Sequence, residues 1–219
     1  MPIQTQGYGG VVADVGGTTF RALNTQVKPV EYGSLGHYRT SVAITSTAAQ
    51  AANSRIFELR NAGSNLIVLT RLVLSALQSA AGTAQLNYLQ AYKCTSFSAV
   101  DTTNTVTPVS SVKRTATMAA YPGGAQVRHL TLTGAAAGMT GGTLTKDTQA
   151  FGILPFNVST SINTSTVWGP KDVLDDVNGT HPFVFANNEG FEIENSILNV
   201  TSFGITWIID VAWAEVTAY

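Results

Sequence analysis

Hydrophobic and polar positions alternate most clearly over residues 205–216. Large apolar residues occupy one face of this segment and mostly polar or small residues the other: Ile205, Trp207, Ile209, Val211 and Trp213 against Thr206, Asp210, Ala212 and Ala214. A repeat of two residues is typical of a β-strand with one buried face. The segment therefore predicts a long, half-buried strand with the two tryptophans in the core.

A shorter alternation precedes this strand. Phe191 and Ile193 alternate with Glu192 and Glu194, and residues 195–202 hold small and turn-forming types. Such a segment can return the chain antiparallel, so we predict that residues 191–194 and 205–216 form a C-terminal antiparallel pair. The two glutamates are then expected on the solvated side of an edge strand.

Candidate strands recur along the rest of the chain with turn residues between them. They cover residues 55–61, 66–77, 86–97 and 182–186, separated by turns at 62–65, 80–83 and 187–190. Helical periodicity is confined to residues 47–53 and 73–80. This arrangement predicts an all-β fold, an antiparallel β-sandwich of jelly-roll-like type.

The remaining segments predict the domain organisation. Seven glycines within residues 1–39 indicate an extended N-terminal arm laid over a surface. Residues 40–219 are then a single β-sandwich domain. A loop-rich insertion is expected over about residues 98–155, where Thr, Ser, Val, Gly and Ala dominate.

Charge is scarce and excludes one class of partner. Lys and Arg number 12 against 13 Asp and Glu, so 11% of residues are charged and the net charge is −1; about a quarter of residues are charged in a typical domain. Nucleic-acid binding depends on clustered cations, so we expect no nucleic-acid partner. Small neutral polar residues cover the surface instead, and such a surface associates easily.

One motif resembles a nucleotide site. Residues 11–19, with Asp14 before Gly16 and Gly17, resemble the first phosphate loop of the sugar-kinase and actin-like ATPase superfamily. Those enzymes need two α/β lobes, and this chain has neither their α/β alternation nor their length. We therefore interpret the motif as a Gly-Gly turn after a short strand, with magnesium-dependent nucleotide protection as the test of the ATPase alternative.

Other chemical motifs are incomplete. His37, His129 and His181 stand apart, without partners at zinc-ligand spacing. Residues 172–178 gather oxygen ligands but miss the spacing of a calcium-binding loop. Cys94 is the single cysteine, lies in a predicted strand and has no partner for a disulfide or a catalytic pair. We expect no catalytic, cofactor-binding or metal-binding residue, and no enzymatic activity.

Trp168 differs from the two tryptophans of the long strand. It lies in a stretch, residues 165–170, that ends in Gly169 and Pro170 and has the composition of a loop. An exposed aromatic residue in a loop is well suited to fill a pocket of a partner protein. We interpret Trp168 as an anchor for a subunit or partner contact.

Four blocks of the sequence resemble one family. Residues 13–22 (ADVGGTTFRA), 32–39 (YGSLGHYR), 188–195 (NEGFEIEN) and 207–216 are similar to blocks of small virion structural proteins of tailed bacteriophages. The resemblance implies a capsid decoration, or cement, protein of β-sandwich fold. Such a protein forms a homotrimer and binds the major capsid protein of the assembled shell.

The expected contacts follow from this resemblance. Aromatic and basic residues of the arm, together with the Trp168 stretch, are the interface hypothesis: Tyr8, Phe20, Arg21, Tyr32, Tyr38 and Trp168. Many copies on a repeating shell gain effective concentration from one another, so weak single contacts suffice.

Two other structural roles stay open. The chain could be a tail, fibre or spike component for host attachment, or a minor β-sandwich capsid subunit. A signal-peptide pattern is not visible, and the longest aliphatic runs are far shorter than the roughly 18 residues of a spanning helix. We expect synthesis in the host cytoplasm, no membrane partner and a final location on the capsid exterior of the virion.

Overall fold

A computed structural model describes most of the chain. The described residues are 3–6, 12–15, 35–46, 49–108, 112–113, 122–131, 137–161, 166–174, 182–197 and 204–217. The chain divides into two compact units, Met1–Val30 and Glu31–Tyr219. The first unit contains an antiparallel pair of short strands, β1 (Ile3–Gln6) and β2 (Val12–Val15). The arm predicted over residues 1–39 thus includes a two-stranded ribbon.

The second unit is built from strands, and no helix occurs among the residues that the structure describes. The strands are β3 (His37–Ser46), β4 (Ser54–Asn61), β5 (Leu66–Gln78), β6 (Gln85–Ala99), β7 (Thr105–Val106), β8 (Val112–Lys113), β9 (Ala125–Leu130), β10 (Thr143–Lys146), β11 (Gly152–Val158), β12 (Thr166–Asp172), β13 (Val184–Phe185), β14 (Gly190–Asn195) and β15 (Ile205–Val216).

The strands form two antiparallel sheets. One has seven strands in the order β10-β6-β14-β4-β9-β7, with β11 also paired to β6. The other has six strands in the order β12-β5-β15-β3-β8, with β13 also paired to β5. The two sheets pack against each other, which confirms the predicted all-β, antiparallel sandwich.

The core lies between the sheets, where the alternating apolar positions meet. Phe57 and Phe191 stack there from the seven-stranded sheet, with their ring centroids 5.7 Å apart. Trp207 and Trp213 enter from β15 and are completely buried. The predicted core position of these two tryptophans is confirmed. A buried aromatic side chain removes a large apolar area from water, so these residues dominate the packing.

The predicted C-terminal antiparallel pair is wrong. Strand β14 lies between β4 and β6 in the seven-stranded sheet, whereas β15 lies between β3 and β5 in the other sheet. The segment between β14 and β15 therefore passes from one sheet to the other. The turn at residues 62–65 does the same, because it joins β4 to β5. Each strand is present as predicted, but its partners are distant in sequence.

Several boundaries differ from the expected ones. Strand β3 begins at His37 and pairs along its length with β15, so residues 37–39 lie in the sandwich and not in the arm. Residues 73–78, which belong to a segment with helical periodicity, lie in β5. The insertion over residues 98–155 contains short strands, and β11 joins the seven-stranded sheet. The turn at residues 187–190 is confirmed, with Asn188 at a φ of 66°.

Candidate functional site

Part of the solvent side of the six-stranded sheet is formed by uncharged side chains. Alternation along β15 places Trp207 and Ile209 in the core and Ile208 on the solvent side. The cross-strand neighbours of Thr206 and Ile208 continue this side over four strands. We call it the open face, which consists of Ser41, Ala43, Thr45, Ser75, Leu77, Val167, Thr206 and Ile208.

Two aliphatic side chains stand out on the open face. Val167 is 60% exposed and Ile208 is 37% exposed. Beside Ile208, the hydroxyls of Thr45 and Thr206 are hydrogen-bonded to each other at 2.9 Å. The open face thus presents apolar groups beside hydroxyls that already have a partner, which lowers the cost of removing this surface from water.

Charge appears at one end of the open face, centred on Asp210. Arg39 Nε donates to Asp210 Oδ1 at 2.7 Å and Arg39 Nη2 donates to Oδ2 at 2.6 Å. Arg71 Nε donates to Oδ2 at 2.8 Å, and the Ser41 hydroxyl donates to Oδ1 at 2.9 Å. Burial works to raise the pKa of Asp210, but the hydrogen bonds from Arg39, Arg71 and Ser41 outweigh it and lower the pKa to about 2.

This arrangement makes the stability of the sandwich sensitive to acid. The pKa of Asp210 is lower in the folded chain than in the unfolded chain. The ionised carboxylate therefore adds to the free energy of unfolding above pH 4, and this addition is lost as the pH falls toward about 2. Allowing for screening of the exposed arginines, we expect the loss to be about 1 kcal/mol. Urea unfolding at both ends of that interval measures it. The Asp210→Asn variant should not show this loss of unfolding free energy, whereas Asp147→Asn, at an exposed carboxylate, should show it as the wild type does. Equal losses in Asp210→Asn and wild type would contradict the expectation.

Trp168 is placed in a strand, and the loop setting expected for it is wrong. It lies in β12, the edge strand of the six-stranded sheet, opposite Ala76 of β5. Its ring is partly buried against the core, with its centroid 5.8 Å from that of Phe156. The neighbouring residue Val167 is the one that points to solvent. The side chain that β12 offers for contact is therefore mainly Val167.

The other predicted contact residues fall into two groups. Tyr38 has no exposed surface, and its ring packs at 5.6 Å from that of Trp213. We therefore correct its assignment from the interface to the core, since a buried ring has no area left for a partner. Four residues lie outside the described part of the chain, and their contacts stay predictions: Tyr8, Phe20, Arg21 and Tyr32.

A second polar site lies on the other side of the molecule, and the sequence interpretation of its glutamates is wrong. Glu192 and Glu194 are buried, not solvated. Strand β14 is an inner strand, and parts of the insertion lie over the side of the sheet that these glutamates face. We call the resulting group the carboxylate cluster; it contains Glu58, Asp101, Glu192 and Glu194, with Arg55 and Lys146 as its cations.

Two cations hold the carboxylate cluster together. Lys146 Nζ lies 2.5 Å from Glu194 Oε1 and 3.2 Å from Glu192 Oε1. Arg55 Nη2 lies 3.0 Å from Asp101 Oδ1, and Arg55 Nε lies 3.9 Å from Glu192 Oε2. The Lys146 ammonium also sits 4.3 Å from the centroid of the Tyr92 ring. These contacts neutralise part of the buried negative charge.

Burial shifts the acid–base properties of the cluster. It raises the pKa of Glu58 to about 7, with the charge of Asp101 adding to the rise. Burial and the neighbouring Glu194 raise the pKa of Glu192 to about 7. Burial also raises the pKa of the nearby Cys94 thiol, with Glu192 and Glu58 adding to it. A protonated, buried thiol is a poor nucleophile.

The other motifs give no additional site in the described part of the chain. No group of three or more His, Cys, Asp or Glu is arranged there to hold a metal ion. Asp14 lies in β2, while its Gly-Gly turn is outside the described residues. Asp172 Oδ1 accepts a hydrogen bond from the Leu174 N–H at 3.1 Å, as in an ordinary Asp turn. Among the described residues, no helix has the length and hydropathy needed to cross a membrane.

Sequence reasoning missed both sites as units. The open face has a signal, because Ile208 is an apolar residue on the otherwise polar and small side of β15. The carboxylate cluster has a weaker one in the alternation of Glu192 and Glu194. Comparison with known proteins adds nothing to this description, since no protein-family model, curated protein or solved structure matches the chain.

Proposed function

We propose that the chain is a non-enzymatic structural subunit of a virion, which decorates and stabilises an icosahedral phage capsid. The observation that carries the proposal is the open face: four strands wide, uncharged over most of its area, and bearing exposed Val167 and Ile208. A surface of this kind is suited to lie against another protein surface.

The energetics of the open face favour protein contact. Burying an isolated charge would cost several kcal/mol, but Asp210, at the end of this face, is already paired with Arg39 and Arg71. The exposed parts of Val167 and Ile208 contribute roughly 25 cal/mol for each Å² removed from water. Each contact is modest, and many copies on a repeating shell make the attachment firm.

Strand β12 supports association between copies of the chain. It is an edge strand of the six-stranded sheet, and its side chains are mostly exposed. An edge strand presents unpaired backbone groups to a neighbouring chain. The proposed homotrimer would place this edge, including Val167, at the contact between subunits. The remaining open face would then contact the major capsid protein.

Location in the intact particle tests the proposed function. Antibody against the chain should label the shell exterior of particles purified from the host that carries its gene, and mass spectrometry should find the chain at a fixed ratio to the major capsid protein. Labelling confined to the tail would favour the tail, fibre or spike alternative. Absence of the chain from purified particles would refute the proposed function.

A charge on the open face should weaken attachment. We expect Ile208→Glu to bind purified shells at least tenfold more weakly, since a tenfold loss requires only about 1.4 kcal/mol. The matched control is Ile153→Glu, because Ile153 is 38% exposed but lies on the seven-stranded sheet. Co-sedimentation with shells measures both variants. Equal binding of the two would show that the open face is not the attachment surface.

A further inference from the structure

The carboxylate cluster is closed off by two segments of the insertion, residues 100–104 and 137–142, which we call the cover. The Thr102 and Thr103 N–H groups donate to Thr140 O at 3.1 and 2.9 Å, which joins the two segments. The Asn104 side-chain amide donates to Gly138 O at 3.1 Å. The cover therefore behaves as one unit.

The cover is fastened to the sheet largely through Asp101. The Asp101 N–H donates to Glu58 Oε1 at 2.7 Å, and Asp101 Oδ1 pairs with Arg55 and accepts the Gly142 N–H at 2.7 Å. The Met139 N–H donates to Arg55 O at 2.9 Å. Closure of the cover thus places Asp101 against the charged groups of β4.

The cluster has more carboxylates than cations. Ionisation of all four carboxylates would leave a net charge of −2 beside Arg55 and Lys146, whereas protons on Glu58 and Glu192 would make the group neutral. Glu58 Oε2 and Asp101 Oδ2 are buried without a hydrogen-bond partner, and the two Glu192 carboxylate oxygens have only the Lys146 and Arg55 cations beside them, at 3.2 and 3.9 Å. Buried oxygens that lack a donor are where a bound proton is most stabilising.

We propose that the cover is a proton-dependent closure, which stays shut while Glu58 and Glu192 hold protons and loosens when both ionise. Asp101 is the group that makes the closure respond. Its carboxylate is carried by the cover, so repulsion from an ionised Glu58 acts directly on the cover and not only on the sheet.

The charged neighbours of both glutamates act in both directions, since the carboxylates raise their pKa and the cations lower it. Glu58 faces Asp101 from the cover, Arg128 from β9, Glu192 from β14 and Arg55 from its own strand; Glu192 faces Tyr92 and Cys94 from β6, Lys146 from β10, Arg55 from β4 and Glu194 from its own strand. Arg128 lowers the pKa of Glu58, but its guanidinium is bonded to the Thr107 hydroxyl at the rim and does not bridge to the carboxylate.

The direction of the pH effect follows from burial, which raises the pKa of both glutamates more than the neighbouring cations lower it. The closed chain binds the two protons with pKa values of about 7, whereas an exposed Glu releases its proton near 4.5. Protons are therefore released when the cover opens, and opening becomes easier as the pH rises between these values and through about 7. The closed form is favoured on the acidic side.

Hydrogen exchange of the cover tests the proposal. We compare peptides spanning residues 98–104 and 137–143 at about pH 5.5 and about pH 8.5, after correction for intrinsic exchange rates. The wild-type chain should lose at least tenfold in protection at the higher pH. The double variant Glu58→Gln, Glu192→Gln mimics the protonated form and should lose less than twofold. The Asp147→Asn variant, at an exposed carboxylate outside the cluster, should behave as wild type.

Each other outcome overturns the proposal. These outcomes are equal wild-type protection at the two pH values, a full pH response in the double variant, or loss of the response in Asp147→Asn. If the double variant does not fold, the wild-type chain alone decides through the infrared band of protonated carboxyl groups. That band should be present at about pH 5.5 and fade in step with protection; its absence at the lower pH refutes the closure.

Discussion

Replacement of Gly190 by alanine is expected to destabilise the sandwich by more than about 3 kcal/mol. Gly190 begins β14 and lies between Arg60 of β4 and Cys94 of β6. A Cβ atom at this position would lie 1.9 Å from the Leu59 carbonyl oxygen, which belongs to the backbone of the neighbouring strand. The added methyl group can be accommodated only by moving β4 and β14 apart at the middle of the seven-stranded sheet.

Urea unfolding of the purified variant measures this loss. Gly204→Ala is the matched control, because its Cβ would meet the Ser79 hydroxyl, a side chain that can rotate away. We expect the control to lose less than about 1 kcal/mol. A Gly190→Ala variant as stable as the control would mean that β4 and β14 are not paired as described.

Arg55→Met should destabilise the chain by about 3–5 kcal/mol, the usual consequence of leaving buried charges without their partner. Its guanidinium is the only cation within salt-bridge distance of Asp101 among the described residues, and it also approaches Glu192. The loss should be larger at about pH 8.5 than at about pH 5.5, because protonation of Glu58 and Glu192 relieves the uncompensated charge.

A second substitution separates charge from packing. Adding Asp101→Asn to Arg55→Met removes the carboxylate that lost its partner, and we expect it to restore part of the stability in a double-mutant cycle. Arg60→Met is the matched control on the same strand, since Arg60 donates to the neutral side chains of Gln126 and Asn188. If Arg60→Met lowers the free energy of unfolding as much as Arg55→Met does, the carboxylate cluster does not depend on Arg55 as its cation.

The strands could be predicted from sequence because alternation is a local property. The period of two over residues 205–216 identified β15 and the inward position of Trp207 and Trp213, and the Asn and Gly residues at 187–190 identified a turn. Pairing is not local. Inner strands such as β14 and β15 take both neighbours from elsewhere in the chain, so their assignment to different sheets could not be derived from the order of elements.

Trp168 shows why composition can mislead. Gly169 and Pro170 are typical of loops, yet β12 continues through them because it is an edge strand and its register shifts between Trp168 and Lys171. Gly169 has a φ of 86°, which glycine adopts readily, and proline is tolerated at an edge or bulge because no ladder hydrogen bond needs its missing N–H. The sequence alone does not distinguish this bulge from a true loop.

The carboxylate cluster depends on contacts that no local pattern contains. Alternation correctly placed Glu192 and Glu194 on the side of β14 opposite Phe191 and Ile193. It did not indicate that the insertion would cover that side, because Asp101 and Lys146 reach the cluster only through tertiary structure. The burial of Glu192 and Glu194 therefore cannot be predicted from the alternation of residues in β14 alone.

The passage of the chain between the two sheets bears on how the protein folds. Strand β15 pairs with β3, so His37 lies opposite Ala214, and β14 pairs with β6, so residues about a hundred positions apart must meet. Among the described strands, only β1 pairs with the next strand along the chain. The entropy cost of closing long loops must therefore be met before most of the gain from pairing is made. Folding should therefore be slow, in the range of milliseconds to seconds, and partly folded chains should expose unpaired strands that favour aggregation.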